Sequence, residues 1–317
     1  MEHRPFPKIP LHPRDAAPSK ASRWVATEKI HGAHVVIGTD GVSVHFGKRK
    51  SWLGAGDAFF GWQLLRSPLE IAAREVHRRV GRRGPMYLYG ELYGGAYPHP
   101  DVTPMRGVSA VQTGIWYAPD IQFALFDILV DDGVFLAHSK LDAFTQGTAL
   151  RLVPTLLEGT RAEVSALAPR FETRVPRDLP ALAGNFAEGL VLKPDADLAP
   201  SDRPVFKVKI PEFSEVRFDE SVPWNSGVRL SEDELQMWAA RLVNPPRLAS
   251  AHSKVGDDSL EALLDEVVLD VLIDLEAAFP RAMGSLAAAE EERLRAHIGE
   301  LARKNLEEGG LSFLGVQ

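Results

Sequence analysis

The chain has no cysteine. That excludes disulfides, thiolate metal sites and a cysteine nucleophile, and it suits a reducing, cytoplasmic setting. No apolar run reaches the ~18 residues of a membrane-spanning helix, so no membrane partner is expected. There is no G-x-x-x-x-G-K-[ST] stretch, which removes the phosphate-loop enzymes from consideration. Net positive charge is also missing: the formal charge is −7. A basic protein overall is excluded, although a local cationic groove can sit on an acidic one. Residues 1–20 are rich in Pro, His and basic side chains but lack the apolar core of a signal peptide, and they read as a loose arm. No internal repeat is present.

What remains is 317 residues, 45% hydrophobic and 25% charged, enough for two domains with a sizeable core. Val35 and Ile37, then Val42, Val44 and Phe46, alternate on either side of Thr39-Asp40-Gly41, a hairpin signal. Residues 64–80 have helical spacing with Arg74, Arg78 and Arg79 on a solvated face. Met86-Tyr87-Leu88-Tyr89 reads as a strand ending at Gly90-Glu91-Leu92. A long glycine-rich loop, 93–116, follows. Residues 121–130 form an apolar run typical of a buried strand, turned back by Asp131-Asp132-Gly133 into Val134-Phe135-Leu136. Residues 141–157 and 161–168 read as helical, with Pro154 and Pro169 as breaks. Residues 188–193 form a short strand, and 205–210 alternate strictly.

Beyond about Phe218 the period changes. Ser231 and Glu234 make a capping box ahead of Leu235, Trp238, Ala239 and Leu242. Asp258 with Glu261 opens a second helix, along which Leu260, Leu263, Leu264, Val267, Val268, Val271, Leu272 and Leu275 fall at helical spacing before Pro280. A third helix spans 286–306. This part of the chain is helical by period.

Several strand ends carry charge: Lys29, Arg49, Glu91, Asp127, Glu188, Lys207 and Lys209. Singly, each suits a surface charge or a satisfied structural polar group. Lys29 stands out because it follows a short apolar run, with Gly32 closing a turn three residues on. Burial or neighbouring cations free a lysine amine for attack, and the glycine allows close approach to whatever it attacks.

Taken in order, Lys-Ile-His-Gly (29–32), Lys-Arg-Lys (48–50), Tyr-Gly-Glu-Leu (89–92), Phe-Asp-Ile (126–128), Glu-Gly-Leu-Val-Leu-Lys (188–193) and Lys-Val-Lys (207–209) resemble the motif set of covalent nucleotidyltransferases. That superfamily comprises polynucleotide ligases and mRNA capping enzymes. Within it, the chain most resembles the RNA ligase 2 family of ATP-dependent double-strand RNA ligases and RNA-editing ligases. Two features point there: His31, where DNA ligases and capping enzymes usually carry Asp, and a helical C-terminal part where those enzymes usually place a β-barrel. The resemblance runs from about Trp24 to about Leu275, thinning over 143–187 and in the final helix.

The resemblance implies an α+β nucleotidyltransferase domain of antiparallel, ATP-grasp-like sheets at 1–220, followed by a small all-helical domain at 221–317. It implies a monomer that uses ATP with Mg²⁺ or Mn²⁺ and seals RNA with a 5′-phosphate and a 3′-hydroxyl, at nicks in duplex or at paired ends. Lys29 would form a lysyl-AMP intermediate, with Lys207 and Lys209 neutralising phosphate charge. Glu188 would hold the metal. Phe126 would stack on adenine, and Glu91 and Arg49 would hold the ribose, with Arg49 also near the RNA ends. Backbone groups of Glu28 and Ile30 would read the adenine edge. His31 and Asp127 complete the catalytic set. His34 and Lys50 depart from the family, where Asn and a small hydroxyl residue are frequent, and both bear on RNA-end specificity. The rival readings are a DNA ligase or capping-type enzyme, and a non-catalytic RNA-binding descendant.

Overall fold

A computed structural model describes residues 1–9, 19, 21–130, 133–176, 178–214, 230–256 and 259–308. Asp131, Asp132, Asp258, half of the supposed 1–20 arm and the 220/221 boundary lie outside the described residues. Two compact units emerge, one drawn from Met1–Gly54, Ala72–Met105 and Ser109–Pro223, the other from Ala55–Ile71, Arg106–Val108 and Trp224–Gln317.

The first unit holds two sheets. Strands β1 (Trp24–Glu28), β8 (Thr155–Gly159), β9 (Gly189–Pro194) and β10 (Phe206–Lys209) form one, in the order β10-β9-β1-β8. Strands β2 (Ala33–Thr39), β3 (Val44–Lys48), β4 (Ser51–Trp52), β5 (Met86–Gly94), β6 (Ile121–Leu129) and β7 (Arg151–Leu152) form the other, in the order β4-β3-β2-β5-β6-β7. Each pairing is antiparallel except β6 with β7, which is parallel. Residues 29–32 are the link from β1 in one sheet to β2 in the other.

The Asp40-Gly41 hairpin forms as expected. The Asp40 carboxylate accepts from the backbone N–H groups of Val42 and Ser43 at 2.9 and 2.7 Å, and Thr39 pairs with Val44. Val42 belongs to the turn and is exposed, so the strand begins two residues later than its alternation suggests. On β2, Val35, Val36 and Ile37 are all buried. Both faces of that strand are covered, which the alternating pattern did not anticipate.

Residues 151–157, expected within a helix, instead hold β7 and the first three residues of β8. Thr155-Leu156-Leu157-Glu158-Gly159 has no decisive period, and Pro154 prevents a helix from running in from α2 (His138–Thr145). The partner decides: Trp24 to Ala26 of β1 pair with Leu157 to Gly159. The short helix α3 (Arg161–Ser165) follows, with a Thr160–Glu163 capping box.

Helix α1 (Gln63–Val80) buries Leu64, Leu69, Ala72, Ala73 and Val76. Arg78 and Arg79 pair with Glu75 on its outer side. A short α4 (Pro211–Ser214) follows β10. Helices α5 (Glu232–Leu242), α6 (Pro245–Val255), α7 (Leu260–Ala278), α8 (Pro280–Met283) and α9 (Ala288–Glu308) make up the described residues of the second unit beyond 230. The Ser231–Glu234 box is present with both reciprocal bonds. Helix α7 starts on Ser259, whose hydroxyl accepts from Ala262, and buries Leu263, Leu264, Val267, Val271, Leu272 and Leu275. Helix α6 escaped the sequence reading because it lacks a long apolar stripe. Its signal was the cap: Asn244 accepts from Arg247, and proline opens the helix. No described helix is long and apolar enough to cross a membrane.

Strand β5 runs past its expected end, through Glu91 to Gly94, with a register shift against β6 between Tyr89 and Gly90. Glycine is required there by close approach. A Cβ on Gly90 would lie 2.1 Å from the Phe123 ring and 2.5 Å from the Ala124 carbonyl oxygen. Gly90→Ala is expected to destabilise the first unit by about 1–3 kcal/mol through overpacking, read as a lower midpoint in urea unfolding.

Candidate active site

Lys29 leaves β1 with its backbone N–H donated to the Gly189 carbonyl, at 2.9 Å. This ties the start of the inter-sheet link to the start of β9. Glu188 immediately precedes β9 and is 1% exposed. Lys29 Nζ lies 2.5 Å from Glu188 Oε2, and Lys209 Nζ, at the end of β10, lies 2.8 Å from Oε1. His31 Nδ1 stands 3.4 Å from Oε2. Burial alone would raise the Glu188 carboxyl; Lys29, His31 and Lys209 outweigh it and hold Glu188 far below the usual carboxylate range. Gly189 has φ +148°, and a Cβ on it would meet the Val208 carbonyl oxygen at 1.9 Å. A side chain at 189 would therefore push β10, and Lys209 with it, away from Glu188.

Beside this cluster is a cavity of ≈ 320 Å³, within the size range of small-ligand sites. Lys29, Glu28, Ile30, Arg49, Glu91, Phe126, Asp127 and Lys207 all line it. Of the sequence-predicted residues, His31, Glu188 and Lys209 do not line it; Glu188 contacts Lys29, and His31 and Lys209 contact Glu188. Lys207 and Lys209 lie on one face of β10, as alternation requires. Burial, then the charges of Lys29 and Lys209, hold the Lys207 ammonium below its ordinary value. Burial pushes the Glu91 carboxyl up to about 7, with the Lys29 cation acting the other way. His31 is buried, its backbone N–H donated to Tyr117 Oη at 2.8 Å and its ring edge-on to Phe213.

Two expected residues have their side chains engaged in the framework. The Glu28 carboxylate accepts from the Thr173 hydroxyl and from the Arg174 N–H at 2.8 Å, so only its backbone remains on the cavity side. Asp127 is 2% exposed and held by Lys193 Nζ at 2.9 Å and by Arg203. Lys193 Nζ also donates to the Phe126 carbonyl, at 2.5 Å. Burial would raise the Asp127 carboxyl, but the Arg203 and Lys193 cations hold it below the usual range. The sequence reading missed both partners. Lys193 closes the Glu-Gly-Leu-Val-Leu-Lys motif and was visible there; Arg203 lies in a proline-containing loop with no signal.

The sequence reading also missed one wall of the cavity. Phe6, Pro7, Lys8 and Ile9 line it, so the first nine residues are not a loose arm. His34 lines it too, as the direct cross-strand neighbour of Glu91.

Glu188 is the carboxylate in contact with the Lys29 amine, and among the described residues no three His, Asp or Glu gather as a ligand set. Such a donor set fits a hydrated divalent ion that takes its other ligands from phosphates, as Mg²⁺ prefers, rather than a protein-caged one.

Removing Asp127 strands two buried cations. Asp127→Ala is expected to lower stability by about 3–5 kcal/mol, measured by denaturant unfolding. A pH effect follows from His34, which burial, then the charges of Arg49 and His3, lower from 6.5 to about 4. The unfolded chain therefore takes up this proton first, so stability is full above 6.5 and is lost as pH falls toward 4. Replacing His34 with Asn should flatten that loss, read as a smaller drop in Tm between pH 7 and 4.

A sequence profile of the RNA ligase family matches residues 22–209, more than half of the chain. The mitochondrial RNA-editing ligase 2 of Trypanosoma brucei brucei is 29% identical over 313 residues, covering 80% of this chain and 74% of the relative. RNA-editing ligase 1 of the same organism is 29% identical over 210 residues, covering 55% of this chain and 45% of the relative. A Naegleria gruberi RNA ligase structure with PPi aligns at a TM-score of 0.41 and 17% identity, over 60% of this chain. The chain spans half the length of that ligase and less than half of editing ligase 1. The motif lysine, its buried glutamate and the two β10 lysines all fall within the stretch that the RNA ligase profile matches, residues 22–209, and on that profile match the chain belongs to the RNA ligase family.

Proposed function

We propose that the protein is an ATP-dependent RNA ligase that works through a lysyl-AMP intermediate and seals nicks or paired ends in duplex RNA. The observation that carries this reading is the sharing of one buried carboxylate, Glu188, by Lys29 and Lys209 at the edge of a nucleotide-sized cavity. Lys29, as the free amine, attacks the α-phosphorus of ATP; a P–N bond forms, the bond to the bridging oxygen breaks, and pyrophosphate leaves. Lys207 and Lys209 stand where negative charge develops. Glu91 and Arg49 hold the ribose, and Phe126 provides a face for the base. Glu188 is the residue that would hold a divalent cation, Mg²⁺ or Mn²⁺, whose contribution when bound is charge stabilisation at the phosphates.

AMP then passes from Lys29 to an RNA 5′-phosphate, and a 3′-hydroxyl attacks the resulting anhydride and expels AMP. An RNA duplex must be gripped along its backbone, and phosphate contacts supply most of that affinity. A-form shape and 2′-hydroxyls supply the preference for RNA. The family match and the names of the trypanosome relatives support an RNA substrate.

With α-labelled ATP and Mg²⁺ the protein should acquire a covalent label that survives alkali and is released by acid, as a P–N bond requires, and Lys29→Ala should abolish it. The labelled protein, given a 5′-phosphorylated nicked RNA duplex, should release AMP and seal the nick. Label retained in the Lys29 variant would remove that residue as the nucleophile, and preferential labelling by GTP would favour the capping-type reading.

A further inference from the structure

We propose that the first nine residues form a built-in wall of the nucleotide site, and that Phe6 is a positioning residue that sets the attitude of the Phe126 ring. The proposal rests on the reading of the cavity as an adenylyltransferase site and deepens it.

The segment is tied down by its backbone. Trp52 Nε1 donates to the Met1 carbonyl at 3.1 Å, Tyr87 Oη to that of Glu2 at 2.9 Å, and Tyr89 Oη to that of Arg4 at 3.0 Å. His3 Nε2 lies 3.0 Å from the Lys48 carbonyl oxygen. Tyr87 and Tyr89 lie two apart on β5, so both hydroxyls leave the same face of the sheet. The Arg4 guanidinium lies over the Tyr87 ring at 5.3 Å. These contacts fix the path of the chain up to residue 4 and deliver Phe6 to a set place.

Phe6 meets Phe126 edge-to-face, with centroids 5.1 Å apart and planes at 84°. It makes similar contacts with Tyr89 at 5.1 Å and Phe135 at 5.5 Å. Phe126 is only partly buried and packs against the cluster of Val36, Tyr87, Tyr89, Leu129 and Phe135. A half-open ring has freedom to turn about its side-chain bonds, and an edge-on neighbour removes it. The Phe126 carbonyl is held from the other side by Lys193. The backbone of the base platform is thus set by a buried ammonium and its ring by Phe6. Past Phe6 the chain continues as cavity wall through Pro7 to Ile9.

If Phe6 acts through the base platform, its loss should weaken only ligands that carry a base. The test compares Phe6→Ala and Phe6→Tyr with wild type in full-length protein. It measures the rate of lysine adenylylation against ATP concentration, and inhibition of that reaction by inorganic tripolyphosphate. Thermal midpoints are recorded in parallel, and assays run well below them.

Phe6→Ala is expected to raise KM for ATP roughly tenfold, the upper end for one edge-to-face pair. The rate at saturating ATP and the inhibition by tripolyphosphate, which has no base, should stay at wild-type levels. Phe6→Tyr should restore KM. If Phe6→Ala does not fold, Phe6→Leu carries the same comparison, since it keeps apolar volume without the ring. A variant with wild-type KM, or one that loses tripolyphosphate binding in step with ATP, overturns the positioning role. A wild-type protein that takes no AMP from ATP overturns the underlying reading of the site, and this proposal with it.

Discussion

A single buried carboxylate organises the site. Glu188 stands at the start of β9, Lys29 at the end of β1 and Lys209 at the end of β10, so three neighbouring strands of one sheet converge on it. An ionised carboxylate withdrawn from water is costly unless charges and hydrogen bonds surround it. Here the compensating groups are Lys29, Lys209 and the His31 ring. The same interaction that makes Glu188 tolerable thus fixes the two amines a few ångströms apart. Gly189 is part of the arrangement, since a side chain there would strike the β10 backbone.

A second buried charge group, Asp127 with Lys193 and Arg203, does related work between the two sheets. Asp127 follows Phe126 on β6, while Lys193 lies on β9 of the other sheet. The ion pair therefore joins the two sheets beneath the cavity, and Lys193 also grips the Phe126 backbone. Breaking such a pair from one side is severe because the remaining cations have no water to turn to. Asp127, a candidate catalytic residue by sequence, is thereby placed to hold the cavity floor. Its carboxylate is engaged by the two cations.

Residues whose function depends on their own chemistry were readable. Lys29, Glu91, Glu188, Lys207 and Lys209 stand at strand ends where charge is unusual, and their order carried the resemblance. The hairpin at Asp40-Gly41 and the cap at Ser231 were equally legible, because a turn carboxylate and a capping box act within a few residues. Residues whose role depends on a distant partner were not. Arg203 has no local signature, and Phe6 sits in a stretch whose composition suggests disorder. Strand β8 reads ambiguously until β1 lies beside it.

By itself, the sequence determined the Asp40-Gly41 hairpin, the capped helix after Ser231, and the motif lysine with its company of charges. These follow from spacing, turn chemistry and the rarity of charge at strand ends, all of which act over short stretches of chain. Only the tertiary structure decided which charges meet. It turned the Glu28 side chain into the framework, spent Asp127 on two buried cations, and brought Phe6 to Ile9 to the cavity. The physical reason is that burial and pairing are properties of the folded surroundings. A carboxylate is a ligand, a brace or a surface charge according to what lies within about 3 Å of it, and residues more than a hundred positions apart supply that.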